Sequence, residues 1–137
     1  MKNLIFILLL LSITSIVNAQ DNPAQKKISW LEGTWEGTGY QIDKQTWIVS
    51  FTHAEKKFTV SYPSLGCSGW WKLEKAEKTR LLFTENITVN NGCDQGAKVI
   101  VSRIDDKNIS VSWFIPAMFG DQAIAYTVLY KNENSQK

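Results

Sequence analysis

Glu85 is the charge best placed to do chemistry. In Leu81-Leu82-Phe83-Thr84-Glu85-Asn86-Ile87 it shares the parity of Leu81, Phe83 and Ile87. A strand here therefore turns the carboxylate toward its apolar side. A carboxylate there is costly unless it is paired or hydrogen-bonded. Arg103 has the parity of Val99 and Val101, so one expectation is an inward Glu85–Arg103 pair that offers polar contacts to a ligand. A structural ion pair, or a rim position for Glu85, is the plainer alternative.

His53 is the single histidine and shares the parity of Trp47, Val49 and Phe51. A general base needs a nucleophile or a substrate proton within reach. Ser64 and Ser68 stand in no Gly-x-Ser-x-Gly elbow, so no catalytic residue is expected and the chain reads as a non-enzyme. Asp43, Asp94, Asp105 and Asp106 miss the spacing of a calcium loop, and no zinc-helix or phosphate-cradling motif occurs. Neither a metal nor a cofactor is expected.

The aromatic residues carry the second signal. Of six tryptophans, Trp35, Trp47, Trp71 and Trp113 fall on the face expected to point inward. They either line a pocket for an apolar ligand or simply fill the interior. Trp30 and Trp70 lie off that face and are expected to be exposed. Phe114-Ile115-Pro116-Ala117-Met118-Phe119-Gly120-Asp121 is an apolar link among polar ones, broken by Pro116 and Gly120. Exposed, Met118 and Phe119 suit a portal flap or a partner-binding loop; folded back, they cap the core.

Positioning these side chains falls to short alternating segments. From Trp30 onward the pattern has period two. Trp35 lies among Gly33, Gly37 and Gly39 on one face. Trp47, Val49 and Phe51 follow, then Phe58, Val60 and Tyr62, then Gly69, Trp71 and Leu73. Leu81, Phe83 and Ile87 come next, then Val99 and Val101, then Val111, Trp113 and Ile115. Ile124, Tyr126, Val128 and Tyr130 read as the inner face of the last.

That is eight strands with mostly hairpin-length links. An all-β, eight-stranded antiparallel up-and-down barrel buries every apolar face and leaves no edges. Links between odd and even strands then gather at one end, and Trp35 plugs the other. The loop end is where binding is expected.

Length and composition agree. The 137 residues make one domain. Residues 1–19 read as a secretory signal peptide, with Lys2, the apolar run Leu4 to Leu11 and a Val17-Asn18-Ala19 cleavage site. The run is short for a membrane span, so no stable membrane insertion is expected after cleavage, and the mature protein is expected to be secreted or periplasmic. Residues 20–29 read as a flexible lead-in, 30–131 as the barrel and 132–137 as a polar tail. The net charge of +2 leaves no electrostatic footprint for nucleic acid. Export places Cys67 and Cys93 in an oxidising compartment, where a disulfide is the default. Two thiols and one distant histidine fall short of a zinc set.

Gly33-Thr34-Trp35 opening an eight-strand meander resembles the Gly-x-Trp signature of lipocalins and related calycin barrels. Lipocalins set an arginine from the last strand over that tryptophan; here the last strand offers Lys131. The run Tyr62-Pro63-Ser64-Leu65-Gly66-Cys67-Ser68-Gly69 is more specific. Followed by Leu82-Phe83-Thr84-Glu85-Asn86-Ile87-Thr88 and by Cys93, it resembles a family of small bacterial exported domains. Those domains carry a Tyr-Pro-Ser-Leu-x-Cys-x-Gly segment, and some sit at the end of receptor-like kinases. The resemblance implies a lipocalin-like barrel over roughly residues 30–130 and assigns no activity.

Two functions follow as expectations. One is a non-catalytic exported barrel that binds a small apolar or amphipathic ligand. The other is a protein-interaction module, such as a hydrolase inhibitor, with its protein partner at the loop end. A cavity of at least about 300 Å³ lined by the inward tryptophans favours the first. A filled interior with Met118 and Phe119 exposed favours the second.

Overall fold

The computed structural model describes residues 23–136. The leader expected over residues 1–19 lies outside these residues. Eight strands follow one another: β1 (Gly33–Gln41), β2 (Thr46–Ala54), β3 (Lys57–Tyr62), β4 (Cys67–Ala76), β5 (Arg80–Val89), β6 (Lys98–Arg103), β7 (Asn108–Phe114) and β8 (Ala123–Asn132). Each pairs with the next, and β1 pairs with β8, so the sheet closes into the antiparallel barrel expected.

Turn chemistry sets this order. At the β2–β3 hairpin, Glu55 and Lys56 both take positive φ, at 50° and 64°. That is the twist a two-residue link needs between right-twisted strands. The long β4–β5 pair bends at two register shifts, Ser68/Gly69 and Leu73/Lys75. Gly69 is obligatory at the first, because a Cβ there would stand 1.9 Å from the carbonyl oxygen of Asn86.

The interior is an aromatic column. At its foot His53 stacks on Phe58, with ring centroids 4.5 Å apart, and Phe58 meets Phe83 edge-on at 5.1 Å. Trp71 occupies the centre, stacked on Phe51 at 4.5 Å and tilted against Phe83 at 5.6 Å. Trp113 stands above it, edge-on to Trp71, Trp47 and Tyr62. The foot is closed by Trp35, fully buried, whose Nε1 donates to the carbonyl of Leu31 at 2.8 Å. The Lys131 ammonium stands 5.2 Å from the Trp35 ring centre, within cation–π range.

Three expectations are corrected. The described part of the lead-in, from Pro23, is structured, with a helix α1 (Pro23–Ile28) and a 3-10 turn (Ser29–Leu31). Ile28 and Leu31 are buried there, so this segment is held by the apolar surface it covers. Trp30 is partly buried against the core rather than exposed, whereas Trp70 is 44% exposed as read.

Beyond its start the face of β8 is reversed: Ile124 is buried as expected, but Ala125, Thr127 and Leu129 point inward, and Tyr126, Val128 and Tyr130 point out. The reason lies across the closing seam. A Cβ on Gly37 would come within 2.7 Å of the Val128 carbonyl and 3.0 Å of the Leu129 side chain. The Thr127 hydroxyl donates to the Thr38 carbonyl at 2.6 Å. Strands this close leave no inner space for tyrosines. The tyrosines go outside, where Tyr40 and Tyr126 stack at 5.9 Å.

Candidate functional site

The links β1–β2, β3–β4, β5–β6 and β7–β8 all fall at the end opposite Trp35. A cavity of about 220 Å³ opens there. Trp47 on β2, Tyr62 on β3, Glu85 on β5 and Trp113 on β7 form its inner wall. Gln41, Gln45, Leu65 and residues 91–94 form its rim.

Glu85 is buried, as its parity requires. Its Oε2 accepts from Trp71 Nε1 at 2.7 Å and from the Tyr62 hydroxyl. That hydroxyl in turn accepts from Trp113 Nε1 at 3.1 Å. Four side chains from four strands thus form one chain of hydrogen bonds that ends on a carboxylate. Burial raises the Glu85 carboxyl above its ordinary range; the donors Tyr62, Trp71 and Trp113 oppose this, and the nearby Asp94 charge adds to it. Burial and the Glu85 charge push the Tyr62 hydroxyl well above the usual phenol range, so it serves as a donor at neutral pH.

The Glu85–Arg103 pair does not form. Glu85 N–H bonds to the carbonyl of Ala97, and Arg103 stands six residues further along β6. At 3.3 Å per residue that is roughly 20 Å away, toward the other end. Arg103 instead pairs with Asp106 in the turn that follows. Equal parity put both residues on one side of the sheet but fixed nothing about height in the barrel.

The inward tryptophans divide by height. Trp47 and Trp113 line the cavity. Trp71 fills the space beneath it and touches Glu85, and Trp35 belongs to the closed foot. Gly39 makes the wall possible: it pairs with Trp47, and a Cβ there would stand 2.6 Å from that indole.

Met118 and Phe119 lie on a one-turn helix, α2 (Pro116–Phe119), at the same end, 69% and 41% exposed. They neither line the cavity nor fold over the core.

The rim is tied down covalently. Cys67 and Cys93 form the expected disulfide, across a sequence separation of 26. It joins the start of β4 to the segment that carries Asp94. The same segment is held from several sides. Asn90 Oδ1 accepts from Cys93 N–H at 2.8 Å, Asn91 Nδ2 donates to the Leu65 carbonyl at 3.2 Å, and Gln95 Oε1 accepts from Ile87 N–H at 2.9 Å.

His53 lies at the foot, buried, and neither ring nitrogen has a hydrogen-bond partner among the described residues. Burial lowers its pKa, against the raising effect of Glu32. It reaches no nucleophile there. Among the described residues no three metal-ligating side chains come together.

Tyr62, Gln41, Gln45 and Asp94 were not singled out as site residues. For Tyr62 a signal existed: an inward tyrosine needs a partner for its hydroxyl, and Glu85 was the inward acceptor. Gln41 ends β1, and Gln45 and Asp94 sit on the links at the rim, where alternation gives out. Comparison of the chain with protein-family models, with curated proteins and with solved structures returned no match.

Proposed function

We propose that this is an exported, non-catalytic, lipocalin-like barrel that holds one small amphipathic molecule in its loop-end cavity. One observation carries the reading: a cavity whose inner wall sets one buried carboxylate, Glu85, among Trp47, Tyr62 and Trp113. Apolar walls with few fixed polar groups are the usual make-up of a small-molecule site. At about 220 Å³ the cavity is below the roughly 300 Å³ that drug-sized ligands need. It is above the roughly 150 Å³ that accepts benzene. The guest is therefore one ring, or its equivalent, with a short polar arm. The Tyr62 and Trp71 hydrogen bonds both use Oε2, so Oε1 is the acceptor offered to that arm. The chain's own residues supply binding and orientation; no described side chain is poised to attack a guest.

The second reading, a protein-interaction module, draws on Met118 and Phe119. Two exposed apolar side chains at the loop end, beside the cavity, suit a protein contact.

Native mass spectrometry of protein purified from its source compartment separates the two. A retained small molecule supports the carrier, and a co-purifying protein supports the module. The carrier reading is overturned if a fragment set of one-ring compounds at millimolar concentration neither raises the melting temperature nor changes tryptophan emission.

A further inference from the structure

We infer that the guest is a small organic cation, a one-ring or short-chain ammonium compound, held by its charge against Glu85 with its apolar part packed against the edge-on pair of Trp47 and Trp113. The inference rests on the cavity being a binding site and adds the chemical class of the ligand.

Charge at the site is one-sided. Glu85 and Asp94 are the two ionisable acids lining the cavity besides the phenol of Tyr62, and no lysine, arginine or histidine lines it among the described residues. The ion pairs of the described residues lie elsewhere, and none includes Glu85. Every group that bonds Glu85 is a neutral donor: a phenol and an indole. A carboxylate out of water with no countercharge is expensive to keep, and a cation entering the cavity supplies the missing charge. An anionic guest meets two carboxylates and no compensating group.

The walls agree with an organic rather than a strongly hydrated cation. Trp47 and Trp113 present indoles, and Tyr62 a phenol, at the same height as Glu85. An indole face is the best aromatic partner for an ammonium group, and desolvation strengthens the attraction. Burial already raises the Glu85 carboxyl, with Tyr62 and Asp94 as the titratable groups facing it. An ammonium beside it favours the ionised form.

The test is isothermal titration calorimetry of the disulfide-intact protein with three probes of one size: benzylammonium, benzyl alcohol and benzoate. Benzylammonium is expected to bind at least about tenfold tighter than benzyl alcohol, and benzoate weakest of the three. Glu85→Gln keeps the shape and an acceptor. It should lower benzylammonium affinity by about tenfold or more while moving benzyl alcohol by less than about threefold. Asp94→Asn, on the rim where folding is not at stake, should weaken benzylammonium alone, by about two- to fivefold. If Glu85→Gln does not fold, the probe order and Asp94→Asn decide. Benzyl alcohol or benzoate binding as well as benzylammonium overturns the cation and leaves the cavity reading standing. No binding by any probe overturns both.

Discussion

Tyr62→Phe removes one oxygen from the centre of the site. That oxygen donates to Glu85 and accepts from Trp113 Nε1, so its loss acts twice. A hydrogen bond to a charged group contributes about 1.5–3 kcal/mol, and a buried N–H left without an acceptor costs about 1–3 kcal/mol. Two effects reduce the sum: Glu85 keeps its bond from Trp71 at 2.7 Å, and the phenylalanine ring needs no desolvation of a hydroxyl. The expected net loss is about 3 kcal/mol, or roughly 12 °C in melting temperature for a domain of this size. Urea unfolding of the disulfide-intact protein, followed by far-ultraviolet circular dichroism, measures it. The denaturant slope should not change, because the surface exposed on unfolding is the same. A loss below about 1 kcal/mol would mean that water in the cavity solvates both partners already, and the reasoning from a dry hydrogen-bond chain would fail.

Glu85 also sets a pH dependence. Its folded carboxyl lies above the ordinary 4.5, so the folded state holds the proton more tightly than the unfolded one. Its contribution is fully present below pH 4.5 and is lost as pH rises through the folded value. Wild-type stability minus that of Glu85→Gln should fall over that window, and a rise would refute the assignment; the subtraction cancels the exposed carboxylates that shift the other way. His53→Phe keeps the stack on Phe58 and removes two buried nitrogens without partners, so it should stabilise by about 1–2 kcal/mol in a denaturant titration. It should also remove the His53 share of the stability loss that sets in as pH falls below 6.5, because a lowered histidine pKa favours the neutral form in the folded state. Gly39→Ala drives a methyl into the Trp47 indole; it should cost about 1–3 kcal/mol and change tryptophan emission, and an unchanged spectrum would show that the indole moves freely.

Alternation made most of the barrel legible. Glu85, Trp47, Trp71 and Trp113 all point inward as their parity required, because a half-buried strand has only two faces. It failed at β8, where both parities carry apolar residues. There the close approach of β1 at Gly37, a long-range contact that no local pattern records, decides the face. Parity was silent about height, and so it joined Glu85 to Arg103 across the length of the barrel. Height also settles what the tryptophans do. Trp71 occupies space, and Trp47 and Trp113 enclose it. The helix over Pro23–Ile28 escaped notice because two buried anchors, Ile28 and Leu31, are too few to make a periodic signal. Tyr62 was legible as inward but joined the site only through the register that brings β3, β4, β5 and β7 together around one carboxylate.

Binding at the loop end is tested most directly by nuclear magnetic resonance of the six indole N–H signals, assigned by single Trp→Phe variants, during titration with benzylammonium. The signals of Trp47, Trp71 and Trp113 should shift together and saturate, because two of these rings wall the cavity and the third donates to Glu85. Those of Trp30, Trp35 and Trp70 should stay fixed, since the cavity wall includes none of them. Shifts confined to Trp70, or to Trp30 and Trp35 at the closed foot, would place binding elsewhere and contradict the loop-end site, as would six unmoved signals at millimolar probe.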